Sequence, residues 1–173
     1  GANTTGNYNT AVGSLAGDAL TDADFNVAVG YHALSSDTKG SRSTAIGQGA
    51  LFSQNFTSAT DTNNTAVGYA AGVNLTTGIR NTLIGANAGD SLTDADNNVA
   101  IGTNALQTNQ QGSQNIAIGR EALASMNPSG AANTYNTAVG ADAGFAVTTG
   151  VQNTLIGGLA GDAITTGSNN VAI

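Results

Sequence analysis

Two acidic strings in the sequence carry side chains that could bind a metal ion. The second string lies 72 positions after the first, and each has two alternating aspartates followed by an asparagine. Carboxylate and amide oxygens are ligands that calcium prefers, so the four aspartates are calcium candidates. These residues are Asp22, Asp24, Asp94 and Asp96. The corresponding segments 76–79 and 165–168 contain no acidic residue, which favours an ordinary turn in which Asp bonds to nearby backbone groups.

The sequence does not predict an enzyme. His32 is the only histidine, Glu121 is the only glutamate and cysteine is absent, so nucleophilic triads and Cys-ligated metal sites lack their residues. Two carboxylates that cleave a glycoside stand about 5–10 Å apart in a cleft. Asp22 and Asp94 instead lie far apart along the chain, and Asp22 and Asp24 share one turn. We therefore expect no catalytic residue and no cofactor, and we interpret His32 as a surface residue.

Two segments, 52–63 and 124–135, hold a mixture of aromatic and amide side chains. Each is longer by four positions than the corresponding stretches of the chain, and both additions are expected on the same side of the molecule. Rings and amides on surface loops contact sugars or proteins, so a host glycan or a surface protein is the expected ligand. The ligand-binding candidates are Phe52, Asn55, Phe56, Asn127 and Tyr135. A neutral insertion without a ligand is the alternative.

These segments belong to a repeat that runs through the chain. The motif Asn-x-(Ala/Leu)-(Val/Ile)-Gly occurs eight times, a ninth copy begins with Ser43 and a tenth begins at Asn170. The motif glycines are Gly13, Gly30, Gly47, Gly68, Gly85, Gly102, Gly119, Gly140 and Gly157. Their numbers advance by 17 at each step, except for two steps of 21. Four coils therefore form a unit of 72 positions, and repetition at a fixed period indicates a solenoid.

Each repeat supplies a large aliphatic side chain from one of two places. The fourth residue after the motif glycine is glycine in five coils and leucine in four. A coil with glycine has an aliphatic residue three positions later, as in Gly17 and Leu20. A coil with leucine has a polar residue or methionine there, as in Leu34 and Asp37. Because interiors are close-packed, we expect each coil to fill the same core volume. The two arrangements fill it from two different backbone positions, which we call anchors.

The residue types favour short β-strands over helices. Glycine and asparagine recur often, and β-branched residues fill the motif. We predict an all-β protein in which residues 1–173 form one domain, a parallel β-solenoid whose coils span 17 or 21 positions. Each coil is expected to hold two strands of about 4–5 residues, and stacking at about 4.8 Å gives a length on the order of 45 Å. The recurrent asparagines are expected to form a hydrogen-bonded ladder along the stack.

Both faces of the predicted motif strand are apolar. Adjacent strand residues point to opposite sides, so Ala11 and Val12 face opposite ways, and both are apolar. One face lines the interior of the coil, and the sequence predicts no helix to cover the other. A second copy of the chain is the expected cover, which predicts an oligomer without fixing its order.

The motifs resemble the head repeats of trimeric autotransporter adhesins, the YadA-like heads. The segments Asn98–Ala105 and Asn64–Ala71, which read NVAIGTNA and NTAVGYAA, carry the resemblance, and it extends over Asn9–Ile173. It implies a left-handed parallel β-roll, three copies of which pack side by side as a homotrimer. Similar arrays occur in phage tail fibres and other trimeric surface fibres. The coils are longer than in adhesin heads, and the sequence includes neither stalk nor anchor, so we expect a fragment of a longer adhesin or fibre.

The function expected from these features is structural and adhesive. The resemblance implies a segment of a trimeric surface or virion fibre that lies outside the cell and attaches to a host surface or matrix. A net charge of −7 with four scattered cations argues against nucleic acid, and no apolar run is long enough for membrane insertion. One alternative is an ice-binding solenoid, based on a row of threonines that is broken at Val27, Val99 and Ile116. The other is a polysaccharide-degrading tailspike segment.

Overall fold

The computed structural model describes residues 4–173 and shows an all-β chain without helices in that range. Fourteen short strands occur there, and we number them in chain order. They are β1 (Thr10–Val12), β2 (Val27–Val29), β3 (Gly40–Ser41), β4 (Thr44–Ile46), β5 (Thr60–Asp61), β6 (Thr65–Val67), β7 (Thr82–Ile84), β8 (Val99–Ile101), β9 (Gly112–Ser113), β10 (Ile116–Ile118), β11 (Ala132–Asn133), β12 (Thr137–Val139), β13 (Thr154–Ile156) and β14 (Val171–Ala172). The predicted all-β class is confirmed. No helix in residues 4–173 could cross a membrane.

Ten of these strands form one parallel sheet, the main sheet. Its order is β1-β2-β4-β6-β7-β8-β10-β12-β13-β14. Thr10 pairs with Val27 in the next coil, and across the first longer segment Thr44 pairs with Thr65. The two remaining pairs, β3 with β5 and β9 with β11, are also parallel. The chain is therefore a parallel β-solenoid of about ten coils, as the repeat predicts.

The prediction of two strands in each coil is wrong. Main-sheet strands have two or three residues, and within residues 4–173 a second strand occurs only where β3 pairs with β5 and β9 with β11. The cause is the density of left-handed backbone conformations. In one coil, Phe25 has a φ of 60°, His32 of 59° and Leu34 of 50°. Because each such residue turns the chain away from an extended path, a second ladder has no room to form.

The core is a column of small and branched side chains inside the coil. The middle residue of each main-sheet strand points inward, as for Ala28 and Leu83, which are at most 1% exposed. Leu34 and Leu20, from the two kinds of coil, are both buried. A Cβ added to Gly17 would lie 2.9 Å from Cδ1 of Leu20. Glycine is therefore favoured where the aliphatic side chain comes from the later position.

The recurrent asparagines form the predicted ladder along one buried corner of the coil. The backbone N–H of Asn98 donates to Oδ1 of Asn81 (3.0 Å), and Asn115 bonds to Asn98 in the same way (3.0 Å). The side-chain amide of Asn98 donates to the carbonyl of Gly112 (3.1 Å). Asn81, Asn98 and Asn115 are fully buried, so these amides hold neighbouring coils together and cannot contact an external ligand.

The outward side of the main sheet, which we call the outer face, carries two parallel rows of side chains. The third strand position forms an uninterrupted aliphatic row in register from coil to coil. This aliphatic row is Val12, Val29, Ile46, Val67, Ile84, Ile101, Ile118, Val139 and Ile156. Val12 is 57% exposed and Ile84 37%. The prediction that both sides of the strand are apolar is confirmed.

Candidate ligand-binding surfaces

The inner aspartate of each acidic string bonds to the backbone of a neighbouring coil. Oδ1 of Asp24 accepts the N–H of Asn7 (2.7 Å), and the N–H of Asp24 donates to Oγ of Ser41 (3.0 Å). Oδ1 of Asp96 likewise accepts the N–H of Ile79 (2.7 Å). These carboxylates accept hydrogen bonds from backbone N–H groups of the preceding coil. This agrees with the interpretation of the acidic strings as ordinary turns.

The outer aspartates, Asp22 and Asp94, are exposed. Asp22 accepts the hydroxyl of Thr5 (3.0 Å), and Asp94 accepts the side-chain amide of Gln111 (3.2 Å). Within residues 4–173, no group of three or more His, Asp or Glu side chains is arranged to hold a metal ion. Calcium binding stays a prediction, and the contacts favour the turn alternative.

The two longer segments project from the solenoid at equivalent positions. The N–H of Lys39 donates to the carbonyl of Phe56 (3.1 Å), and the N–H of Thr60 donates to the carbonyl of Lys39 (3.3 Å). Because one residue of the preceding coil bonds to both, residues 57–59 bulge outward, and they are exposed. Residues 129–131 precede β11 in the second segment, and Gly130 and Ala131 are exposed. Both projections consist of small residues.

The five ligand-binding candidates do not form one surface. Phe56 is only 8% exposed, and its N–H donates to Oδ1 of Asp37 (3.0 Å). Asn55 and Asn127 are exposed at equivalent positions of their coils, and Tyr135 is 48% exposed. Four coils, or about 19 Å of stacking, separate the first segment from the second. A single ligand site built from both segments is therefore not present.

A buried polar network anchors the first longer segment. Asp37 is fully buried, and its Oδ2 accepts the side-chain amide of Gln54 (2.6 Å). Gln54 also donates to Oγ of Ser43 (2.9 Å) and accepts the amide of Asn64 (2.9 Å). Gln54 thus bridges the coil whose motif has serine in place of asparagine. Serine is too short to make the bonds of the motif asparagine, so Ser43 indicated that another polar group would replace them. The sequence did not identify Gln54 as that group.

Phe52 lies away from the projections, in a cluster of aromatic rings that the sequence did not predict. The ring centroids of Tyr31 and His32 are 4.1 Å apart, and those of His32 and Phe52 are 5.4 Å apart, both edge to face. Tyr31 is 51% exposed and Phe52 37%. Nδ1 of His32 is 3.4 Å from Oγ of Ser35. His32 is a partly exposed surface residue, as expected, but its neighbours are rings from two coils.

A cavity of about 290 Å³ lies on the corresponding side of the solenoid near its C-terminal end. Its lining is Arg120, Glu121, Asp142, Phe145, Leu159 and Asp162. Arg120 forms ion pairs with Glu121 (3.0 Å) and with Asp142. The cation of this cavity is therefore paired with carboxylates of the same lining, and its ion pair with Asp142 links two neighbouring coils.

Comparison with family models, curated proteins and solved structures finds no match to the chain. The likeness to YadA-like heads therefore depends on the motifs themselves.

Proposed function

We propose that the chain is a structural and adhesive segment of a trimeric fibre, displayed outside the cell on a bacterial surface or a virion. In this proposal its coils, which span 17 or 21 positions, wind in a left-handed roll, and three chains pack side by side through their outer faces. The segment attaches to a host surface or matrix through a glycan or a surface protein. Catalysis, nucleic acid and membrane insertion have no part in it.

The aliphatic row of the outer face carries the proposal. Its nine β-branched side chains are in register, and Ile46 and Ile84 are 39% and 37% exposed in the single chain. Exposed apolar strips of this length mark interaction sites. Burying apolar area stabilises an assembly by roughly 25 cal/mol per Å². A strip that runs in register along the solenoid can face the same strip on a parallel copy, which favours side-by-side packing.

A charge placed in the aliphatic row tests the proposal. We expect Ile84→Lys to lower the molar mass measured by light scattering from three chains of 16.9 kDa towards one, because a lysine would be buried between chains without a partner. Thr103→Lys is the matched control, since Thr103 is exposed and Arg120 places a cation at the corresponding position of the next coil. A trimer that persists in Ile84→Lys would contradict packing through the outer face.

A second candidate function is ice binding, favoured by the other row of the outer face. Its threonines fall in register, with Thr44 paired to Thr65 and Thr65 to Thr82. Val27, Val99 and Ile116 interrupt the row. The two functions compete for one surface, because a face buried between chains cannot contact ice. Thermal hysteresis in a protein that is monomeric by light scattering would favour this second candidate.

A further inference from the structure

We propose that an exposed cluster of rings and one amide binds a neutral oligosaccharide. This cluster, the aromatic patch, consists of Tyr31, His32, Gln48, Phe52 and Tyr69. The inference rests on the adhesive role proposed above and names the ligand class and the site. The patch lies on the turns that follow the motif glycines, beyond the edge of the outer face.

The coil stacking places three planar polar groups in one line. The N–H of Gly49 donates to the carbonyl of Tyr31 (3.0 Å), and the N–H of Ala70 donates to the carbonyl of Gln48 (2.9 Å). Tyr31, Gln48 and Tyr69 therefore succeed one another along the solenoid axis, and two inter-strand spacings, roughly 10 Å, separate the tyrosines. A short sugar chain lying along the axis would meet a phenol, an amide and a phenol in turn.

A glycine opens the surface beside this line. Gly49 lies between His32 and Ala70 in its row of turn residues, and a Cβ placed on it would meet only Cγ2 of Val73, at 3.9 Å. The corresponding residues of other coils, including Asn87 and Asn104, adopt the same left-handed conformation with a side chain present. Neither backbone conformation nor crowding therefore requires glycine. Its effect is an open space in the row of turn side chains, beside the rings of the patch.

The fold does not require the aromatic residues. The residues 72 positions after Tyr31, Phe52 and Tyr69 are Thr103, Ala124 and Ala141, in coils with the same strand pairing. Tyr31 and Tyr69 are 51% and 57% exposed, so their rings add little to the core. The same fold accepts threonine or alanine at these positions. Exposed rings there therefore indicate a ligand-binding surface.

The chemistry of the patch fits an uncharged sugar. Ring faces pack against the C–H groups of a pyranose, while the phenols and the Gln48 amide exchange hydrogen bonds with its hydroxyls. None of the five side chains is a carboxylate, a lysine or an arginine. In contrast, the residues 72 positions after Gln48 and Gly49 are Arg120 and Glu121. The second unit therefore presents two ions where the first presents an uncharged amide and a glycine.

The repeat supplies substitutions that the fold already accepts. The double variant Tyr31→Thr/Tyr69→Ala removes both phenols by copying the second unit. Gly49→Asn keeps every ring and fills the open space at Gly49, and Asn tolerates the left-handed conformation. Phe145→Val is the matched control, because it removes an exposed ring outside the patch and valine occupies the corresponding position at Val73. Circular dichroism and the thermal unfolding midpoint confirm that each variant is folded.

The test is binding of the intact chain to an array of neutral and sialylated oligosaccharides, followed by titration of the strongest neutral hit. We expect at least one neutral oligosaccharide to bind, with an affinity reduced at least tenfold in the double variant and in Gly49→Asn but unchanged in Phe145→Val. Because the chain has no tryptophan, quenching of tyrosine fluorescence reports the same titration. Absence of any neutral ligand, or binding that the patch variants leave intact, would overturn the inference. The molar mass of the unliganded protein separates the two proposals, since a trimer without glycan binding would refute only this one.

Discussion

The backbone N–H of Asn81 donates to Oδ1 of Asn64 in the preceding coil at a distance of 2.9 Å. The amide of Asn81 in turn donates to the carbonyl of Ala95 at 2.8 Å, 14 residues on and near the end of its own coil. One side chain therefore closes its coil and joins it to a neighbour. Among residues 4–173, no buried side-chain polar atom lacks a hydrogen-bond partner. The ladder asparagines form many of these buried hydrogen bonds.

Replacing a ladder asparagine should destabilise the protein strongly. Asn81→Ala removes the donor to Ala95 and the acceptor for the N–H of Asn98 (3.0 Å). Each buried group left unpaired costs about 1–3 kcal/mol, so we expect a loss of about 3 kcal/mol in the free energy of unfolding, measured with denaturant at fixed chain concentration. Thr103→Ala, at an exposed position that is alanine at Ala86, should change it by less than about 0.5 kcal/mol. Equal effects of the two substitutions would refute the structural role of the ladder.

The motif glycines that face the motif glycine of a following coil, Gly85 among them, should tolerate no side chain. Gly85 has a φ of 131°, and a Cβ on it would lie 2.6 Å from the backbone carbonyl of Gly102. Because backbone atoms of the next coil cannot move aside, Gly85→Ala should cost more than about 3 kcal/mol or prevent folding. Gly158→Ala is the control, since its Cβ would meet only the carbonyl oxygen of Ala141, at 3.9 Å. A well-folded Gly85→Ala protein with an unchanged unfolding midpoint would be inconsistent with the stacking geometry.

The two anchors of the large aliphatic side chain should be exchangeable when changed together. Gly17→Leu alone places a Cβ 2.9 Å from Cδ1 of Leu20, and overpacking of this kind costs about 1–3 kcal/mol. In an Ala23→Gly background, adding Leu20→Asn copies the coil that holds Leu106, Asn109 and Gly112, where the asparagine bonds to Gly112. The background is needed because a Cβ at that glycine would lie 2.7 Å from Oδ1 of Asn109. We expect the double variant to be more stable than the sum of the single effects predicts, by about 1 kcal/mol or more in a double-mutant cycle. Additive effects would show that the two positions do not fill the same space.

The stability of the protein should depend on Asp90. Partial burial raises the pKa of this carboxyl group, although hydrogen bonds from Ser91 and Gln107 oppose the shift. The pKa is higher in the folded state than in the unfolded state, so ionising this carboxyl group lowers the stability of the fold. That loss of stability is absent below the unfolded pKa and develops as the pH rises through the folded value. Asp90→Asn should therefore raise the thermal unfolding midpoint at neutral pH, and the difference should shrink as the pH is lowered towards the unfolded pKa of an aspartate. A difference that grows on acidification would contradict the direction of the shift.

The sequence predicted the features that depend on periodicity. The motif spacing predicted the parallel register, and the alternation at Ala11 and Val12 predicted an interior side and an apolar exterior side. The number of strands in a coil was not predictable, because the left-handed conformations of residues such as His32 and Leu34 are unusual for those residue types.

The contacts between coils were harder to predict than the coils themselves. His32 and Phe52 are distant along the chain and meet only because their coils stack. Asp37 and Gln54 meet in the same way, inside the core. Phe56 was predicted to be a ligand-binding ring, but the register of the longer segment turns it inward. Composition identifies such residues as unusual, whereas the stacking register decides which of them share a surface.

The molar mass of the protein in solution tests the central proposal most directly. Static light scattering on a size-exclusion column at micromolar concentration should give three times the chain mass of 16.9 kDa, because the proposal buries the aliphatic row of the outer face between three copies. A stable species of one chain mass, with no larger species as the concentration rises, would contradict the proposal that this solenoid is a segment of a trimeric fibre.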